Sequence, residues 1–209
     1  MVDDRLEEIY STLPLEDIPW NHEVPPGPLV DLVESSWIEP CRTIDLGCGA
    51  GNYSIYLASR GFDVTGVDGS PTAIDLAKVN AARKGMVCNF LAADLLYGLG
   101  GLGPFGFALE WQVMHHIHPD ARKDYVESVH QILEPEGKYL SVCFNEADSH
   151  FDGSGKQRRS RLDTTLYLSS LEGLRELFEP HFEIVEIKTI ELGGTQGPHI
   201  SNYFRMVKR

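Results

Sequence analysis

Three glycines alternate along residues 47–51, directly after a short apolar run, residues 43–46, that predicts a β-strand. Gly47, Gly49 and Gly51 permit backbone conformations that a Cβ forbids, and they allow a ligand to lie against the main chain. The apolar spacing from residue 52 onward predicts a helix, whose first N–H groups and partial positive charge would face the loop. A strand, a glycine loop and a helix in this order are typical of a nucleotide or nucleoside site in a doubly wound sheet.

Two carboxylates follow at the ends of later predicted strands. Asp68 ends the β-rich run 62–68, and Asp94 ends the run 87–94. Because the carboxyl ends of parallel strands meet at one edge of a sheet, we expect both acids near the glycine loop. Asp68 can accept hydrogen bonds from both ribose hydroxyls, although it could instead cap the helix that begins at Pro71. Asp94 could also do no more than turn the chain.

The spacing of the glycines separates two classes of cofactor. A dinucleotide loop of the form GxGxxG would have its third glycine at position 52, which is Asn52. A nicotinamide-dependent dehydrogenase is therefore the weaker alternative. The run DLGCGAG, residues 45–51, resembles the first motif of the class I S-adenosylmethionine-dependent methyltransferases. From Thr43 to the end of the chain, the order of predicted strands and helices also resembles that of this family.

This resemblance implies S-adenosylmethionine as the cofactor and S-adenosylhomocysteine as the product. It assigns Asp94 to the adenine amino group, Ala93 and Leu95 to the two sides of the adenine ring, and Glu110 to the methionine amino group. Asp45 would order the loop or face the methionine amino group through water. The predicted cofactor-binding residues are Asp45, Gly47, Cys48, Gly49, Gly51, Asp68, Ala93, Asp94, Leu95, Glu110 and Trp20.

The elements that must position these residues alternate between strand and helix, which predicts a three-layer α/β fold. We expect a Rossmann-like, mostly parallel seven-stranded sheet with an antiparallel last strand. Residues 1–40 are expected to form an N-terminal helix and a prolyl lid that carries Trp20, and residues 41–209 the methyltransferase domain. The predicted strands are 43–46, 62–68, 87–94, 107–111, 138–146, 182–192 and 202–207. The main predicted helices are 71–85, 120–133 and 168–178, and residues 147–164 are expected to be irregular.

The acceptor is expected to lie near the chain that follows the fourth strand. Glu110-Trp111-Gln112 stands where methylases of base amino groups carry an Asn- or Asp-Pro-Pro-aromatic motif. That difference and the net charge of −13 argue against a nucleic-acid substrate, since such binding needs cations that meet phosphates. The basic run 156–161 is the counterargument, although it could be a solvated loop or a contact for an anionic small acceptor.

Three histidines and one lysine complete the predicted acceptor side. His116 is the candidate general base, although it could instead be a packed or capping histidine. Trp111, His115 and Lys156 are candidate acceptor contacts. Adjacent histidines on a helix point apart, so no metal site is expected from His115, His116 and His118. Methyl transfer is an in-line displacement in which positioning does most of the work. A base is needed only if the acceptor must lose a proton.

The function that we predict is methyl transfer from S-adenosylmethionine to a small-molecule acceptor. The alternatives are a catalytically silent S-adenosylmethionine-binding module and an RNA or protein methyltransferase. No apolar run approaches the ~20 residues of a membrane span, and the acidic N-terminus lacks a signal-peptide pattern. Four widely spaced cysteines indicate a reducing compartment, so we expect a cytoplasmic protein with no membrane partner. The sequence leaves the acceptor and the oligomeric state open.

Overall fold

A computed structural model describes residues 4–193 and 198–209. The strands are β1 (Arg42–Leu46), β2 (Asp63–Asp68), β3 (Asn89–Ala92), β4 (Phe105–Trp111), β5 (Leu133–Phe144), β6 (Gln157–Arg159), β7 (Thr165–Tyr167), β8 (Phe182–Leu192) and β9 (His199–Lys208). The α-helices are α1 (Asp4–Thr12), α2 (Gly27–Glu34), α3 (Asn52–Ser59), α4 (Pro71–Arg83), α5 (Arg122–Ile132) and α6 (Leu171–Phe178). Short 3-10 turns cover Leu15–Asp17, Met114–His116 and Pro119–Ala121.

Seven of the strands form one sheet in the order β3-β2-β1-β4-β5-β9-β8. The first five pair in parallel, and β9 lies antiparallel between β5 and β8. The predicted fold class is therefore confirmed, including the antiparallel last strand. The strand order reverses between β1 and β4, and ligands of such sheets bind beyond the carboxyl ends of the strands at that point.

The sheet is buried on both faces because successive side chains of a strand point in opposite directions. Phe107 and Leu109 of β4 pack on the face that carries Leu29 of α2 and Leu57 of α3. The alternate residue Ala108 packs on the opposite face with residues of α5 and α6. This two-sided burial explains why the central strands are apolar throughout.

The N-terminal segment is fastened to the domain beside the glycine loop. Ser70 Oγ and Thr72 Oγ1 both donate to the carboxylate of Glu7 in α1. Next to this contact, Ile9, Tyr10, Ile18 and Ala73 form a small buried cluster. The side chains that α1 presents to α4 therefore set the position of the whole segment. The division of the chain at residue 40 stays a prediction.

Several element boundaries differ from those predicted. The fifth helix begins at Arg122 after a 3-10 turn, and β5 begins at Leu133 because that residue already pairs with Phe105. The prediction that residues 147–164 are wholly irregular was wrong, since β6 pairs with β7. Local composition gives no sign of this pairing, because its partner strand lies beyond the polar run. The glycine-rich residues 193–198, which join the last two predicted strands, lie partly outside the described residues.

Within the described part of the chain, none of the helices has the length and apolar character to cross a membrane.

Candidate active site

The glycine loop after β1 is held against the neighbouring strand and covered by two side chains. Gly47 N donates to Val67 O at 2.7 Å. A Cβ at Gly47 would lie 2.3 Å from Val113 Cγ2, and a Cβ at Gly49 would lie 2.5 Å from the hydroxyl of Tyr10. The φ angles of these two glycines are +70° and +53°, values that residues with a Cβ rarely adopt. The bare main chain thus forms a narrow cradle beneath Tyr10.

Asp68 ties the glycine loop to the end of β2. Its Oδ2 accepts from Gly49 N at 2.9 Å, and its Oδ1 accepts from Ser70 N at 2.9 Å. The sequence left open whether Asp68 caps α4. Ser70 is the N-cap of that helix, since its Oγ accepts from Ala73 N. Burial raises the pKa of Asp68, although the N–H donors act in the opposite direction. Gly69 N–H also acts on this carboxylate, and the acceptor capacity that remains is where a ribose hydroxyl could donate.

Asp45 connects the two elements on either side of the glycine loop. It is buried in β1, and its Oδ2 accepts from Ser54 Oγ in α3 at 2.6 Å. This bond joins the strand before the loop to the helix after it, which is the ordering role predicted for Asp45. Burial raises the pKa of Asp45 to about 6.

The raised pKa of Asp45 predicts that its ionisation destabilises the fold. The folded-state pKa of about 6 exceeds the ordinary value of 3.8, so the stabilising protonation is complete below about pH 4 and lost as the pH rises through 6. The difference is on the order of 3 kcal/mol. Asp45→Asn, which is neutral and nearly isosteric, should raise the free energy of unfolding at neutral pH. Denaturant unfolding across this pH range would measure the effect.

The matched control is Asp75→Asn, which removes an exposed carboxylate of α4. It should leave the pH dependence of the unfolding free energy unchanged. If Asp45→Asn shows the same pH dependence as the wild type, burial does not hold the Asp45 carboxyl in its neutral form.

The end of β3 lies next to Asp68, as its predicted role requires. Ala93 N donates to the main-chain oxygen of Asp68 at 2.9 Å. Asp94 Oδ1 accepts from Leu96 N at 2.9 Å, which turns the chain away from the strand. Ala93 and Leu95 are half-buried and pack against the core. The contacts of these three residues with an adenine ring stay predictions.

Glu110 has surroundings that the sequence did not indicate. Its Oε1 accepts from Val113 N and Met114 N, and its Oε2 accepts from Ser141 Oγ and the Tyr139 hydroxyl. The side chain is completely buried, and burial raises its pKa. Glu110 therefore braces the chain after β4 from inside the protein. The contact between Glu110 and the methionine amino group stays a prediction.

Tyr10 and Trp20 form the cover over the loop. Trp20 Nε1 donates to the Tyr10 hydroxyl at 2.9 Å, and the two rings meet edge to face at 6.3 Å. Asn52 Nδ2 in α3 donates to Asn21 Oδ1 at 2.8 Å, which joins the prolyl segment to the helix that follows the loop. Burial and then the charge of Asp68 raise the pKa of Tyr10, so the phenol keeps its proton at neutral pH. It can donate to a ligand while it accepts from Trp20.

The contacts around Tyr10 predict that residues 10–28 respond to cofactor. Amide hydrogen exchange in this segment should slow when S-adenosylhomocysteine is added, because a ligand between the cover and the loop would hold both. Tyr10→Phe should lower cofactor affinity about fivefold to tenfold, the effect of one lost hydrogen bond. Calorimetry and exchange mass spectrometry would measure these effects.

Tyr97→Phe is the matched control, since Tyr97 is an exposed tyrosine on a different loop. If the rate of amide hydrogen exchange in residues 10–28 is the same with and without S-adenosylhomocysteine, the segment only packs against the domain.

The histidines after β4 differ in environment. His115 is buried, its ring stacks on Phe144 at 4.3 Å, and its Nδ1 accepts from Phe144 N at 3.3 Å. Burial lowers the pKa of His115 well below its ordinary value, so the ring is neutral. His116 is half-buried, with its ring centroid 4.6 Å from that of His115. Of the two side chains, only that of His116 has exposed surface that an acceptor could contact.

Trp111 and Lys156 lie in other surroundings. The Trp111 ring meets Tyr53 edge to face at 6.1 Å. Lys156 is exposed, pairs with Glu146 at 3.2 Å, and borders a groove of about 470 Å³ with Arg122. His118 borders the same groove as Lys156. The contacts of Trp111, His115 and Lys156 with an acceptor stay predictions.

A cluster of side chains that the sequence did not indicate lies at the same edge of the sheet. Phe144 ends β5, and its ring centroid lies 4.6 Å from Phe151 and 5.1 Å from His199. His199 begins β9, and its Nδ1 lies 3.1 Å from the buried Asp148 Oδ2. Antiparallel pairing of β5 with β9 brings these residues together. No local spacing could have shown it, since the residues are distant in sequence.

The sheet order, the glycine loop after β1 and the carboxylates after β2 and β3 define the fold as that of the class I methyltransferases. A family model described as a methyltransferase domain matches residues 44–137. This part of the chain is similar to the S-adenosylmethionine-dependent methyltransferases. The cradle at Gly49 and the remaining acceptor capacity of Asp68 fit that cofactor.

Two curated relatives are about one third identical to this chain over the part of each that aligns with it. A 2-heptyl-1-hydroxyquinolin-4(1H)-one methyltransferase of Mycobacteroides abscessus is 32% identical over 62% of this chain and 57% of its own length. A ubiquinone biosynthesis O-methyltransferase of Caulobacter sp. is 32% identical over 51% of this chain and 42% of its own length. The chain therefore matches only about half the length of these relatives.

A solved structure agrees with the fold over nearly the whole chain. It is the 1,6-didemethyltoxoflavin-N1-methyltransferase of Burkholderia thailandensis, with 1,6-didemethyltoxoflavin and S-adenosylhomocysteine bound. The TM-score is 0.75 at 24% identity, over 98% of this chain and 88% of that one.

Proposed function

We propose that this chain transfers a methyl group from S-adenosylmethionine to a small-molecule acceptor. The observation that carries the proposal is the closed arrangement of Asp68, the glycine loop and the Tyr10–Trp20 cover at the switch point of the sheet. When bound, S-adenosylmethionine supplies an electrophilic methyl carbon. The chain must hold the cofactor and the acceptor in line and exclude water.

The residues of the cofactor side have distinct tasks in this proposal. Asp68 accepts from the ribose hydroxyls while it continues to hold Gly49 N and Ser70 N. Tyr10 donates to the methionine portion, and Trp20 orients the phenol. Residues 93–95 border the adenine ring. Asp45 keeps the loop in place through Ser54.

The acceptor side lies beyond the ends of β4 and β5. His116 accepts a proton from the acceptor where the acceptor is a hydroxyl or an amine, and Phe144 and Phe151 offer an apolar surface. Two of the similar proteins are named for acceptors with fused heteroaromatic rings, a hydroxyquinolinone and a toxoflavin precursor. A flat aromatic molecule is therefore the acceptor class that we propose. Aromatic rings recognise such molecules by stacking or by edge-to-face contact.

A nucleic-acid substrate is less compatible with the charges of the protein. The net charge is −13, and the basic run 156–161 is partly neutralised. Lys156 pairs with Glu146, and Arg159 lies 3.4 Å from Asp163. A catalytically silent module is the second candidate, since the cofactor cradle would serve binding alone equally well.

One assay separates these candidates. Purified protein would be incubated with methyl-labelled S-adenosylmethionine and matched sets of hydroxyquinolines, phenols, thiols and amines, together with RNA as a separate substrate. Labelled product from an aromatic hydroxyl or ring nitrogen supports the proposal. Cofactor binding by calorimetry without any labelled product supports the silent module, and label confined to RNA contradicts the small-molecule proposal.

We also propose a cytoplasmic location, which the four free cysteines support. Alkylation of the protein immediately after cell lysis should then label reduced thiols.

A further inference from the structure

We propose that Asp148, His150 and His199 form a binding site for one divalent transition-metal ion of the Zn²⁺ class. Asp148 and His150 follow β5, and His199 begins β9. One potential ligand atom from each residue lies within 4.8 Å of the other two. The inference does not depend on methyl transfer, because none of the three ligands is assigned to the cofactor or the acceptor and the test is metal binding.

The carboxylate of Asp148 stands at the centre of this group. Its Oδ1 lies 3.4 Å from His150 Nδ1, and its Oδ2 lies 3.1 Å from His199 Nδ1. The carboxylate is also fixed by main-chain donors, since His150 N donates to Oδ1 and Ile200 N donates to Oδ2, each at 2.8 Å. Such outer hydrogen bonds orient the ligands of metal sites, and each oxygen keeps a lone pair that can point to a cation.

His150 supplies an independent observation. Its Nδ1 is shielded from solvent and makes no hydrogen bond with the described residues, although it faces the carboxylate. A shielded nitrogen that makes no hydrogen bond destabilises the folded state. A hydrogen-bonded pair of Asp148 and His199 would leave this destabilisation in place. A cation between the three residues would remove it, because Nδ1 would then coordinate.

The ring packing makes the group rigid. Phe151 stacks on His199 with a centroid distance of 4.9 Å and an interplanar angle of 13°, and Phe144 contacts both rings. His150 and His199 meet edge to face at 5.1 Å. Both imidazoles are thus held with Nδ1 toward the same carboxylate, so little side-chain entropy is lost when a cation binds.

The ligand types select the class of ion. Two imidazoles and one carboxylate suit Zn²⁺ and its transition-metal neighbours, whereas Mg²⁺ and Ca²⁺ prefer oxygen ligands alone. Three protein ligands leave at least one coordination position open, as in zinc sites that bind a further molecule.

The experiment uses the full chain, treated with a chelator and then titrated with Zn²⁺ in a calorimeter, with Mg²⁺ as the comparison ion. One Zn²⁺ should bind per chain and raise the unfolding temperature, and Mg²⁺ should do neither. His150→Ala should weaken Zn²⁺ binding at least tenfold, since loss of an outer-shell partner alone typically costs that much. Among the described residues, His150→Ala removes only the approach to Asp148 Oδ1 and the edge-to-face contact with His199, so we expect the variant to fold.

His22→Ala is the matched control, because it removes an exposed histidine from the N-terminal segment. Its affinity for Zn²⁺ should equal that of the wild type. Co²⁺ gives a second measurement, since its visible absorption reports nitrogen and oxygen ligands directly. Absence of stoichiometric Zn²⁺ binding, or equal affinity in His150→Ala and the wild type, would overturn the proposal and leave only an Asp148–His199 hydrogen-bonded pair.

Discussion

His116→Ala is expected to lower the turnover number by about 10²–10⁴ with an acceptor that must lose a proton, which is the range for removal of a general base. His116 lies in the turn after β4 and is half-buried, whereas the adjacent His115 is buried and its Nδ1 already accepts from Phe144 N. The loss corresponds to roughly 3–5 kcal/mol of activation free energy. Cofactor affinity should not change, because the cofactor residues lie after β1, β2 and β3.

The measurement is single-turnover methyl transfer, with calorimetry for the cofactor. His118→Ala is the matched control, since His118 is an exposed histidine two positions further along the same loop. It should keep wild-type turnover with an acceptor that fits the site. Undiminished turnover in His116→Ala would falsify the assignment of His116 as the base. Catalysis would then depend on the positioning of cofactor and acceptor alone.

Asp68→Ala is expected to weaken the binding of S-adenosylmethionine and S-adenosylhomocysteine about 10²-fold. The substitution removes an acceptor for the ribose hydroxyls, and each charge-assisted hydrogen bond contributes about 1.5–3 kcal/mol. It also leaves Gly49 N and Ser70 N without the acceptor that they have in the structure. We therefore expect a lower unfolding temperature in addition to the lost affinity, because the loop loses its tie to β2.

Asp68→Asn separates the two effects. An amide keeps one oxygen acceptor and the shape of the side chain, so much of the fold stability should return while affinity stays low. Asp63→Ala is the control for charge, since Asp63 is an exposed acid at the beginning of the same strand. Calorimetry on the three variants would measure cofactor affinity, and thermal unfolding would measure fold stability. Unchanged affinity in Asp68→Ala would remove Asp68 from the cofactor site.

The sequence determined the order of elements and the sheet. Strand and helix periodicities are local properties, and the glycine loop, Ser70 and Pro71 mark boundaries that the structure reproduces at β1, α3 and α4. The position of Asp68 beside the loop also followed from sequence, because the carboxyl ends of parallel neighbours meet at one edge. The cofactor class could therefore be predicted from residues that lie close together in the chain.

Only the tertiary structure decided which polar side chains are enclosed. Asp68 is the last residue of β2 and Glu110 the last but one of β4, yet Glu110 is enclosed by four donors and Asp68 lies at the loop. The difference depends on Ser141 and Tyr139 of β5, which pairing places across from Glu110. Contacts between distant segments also form the Tyr10–Trp20 cover and the group of Asp148, His150 and His199. Tyr10 reaches Gly49, and His199 reaches Asp148, through packing and pairing between segments far apart in sequence, which no local spacing encodes.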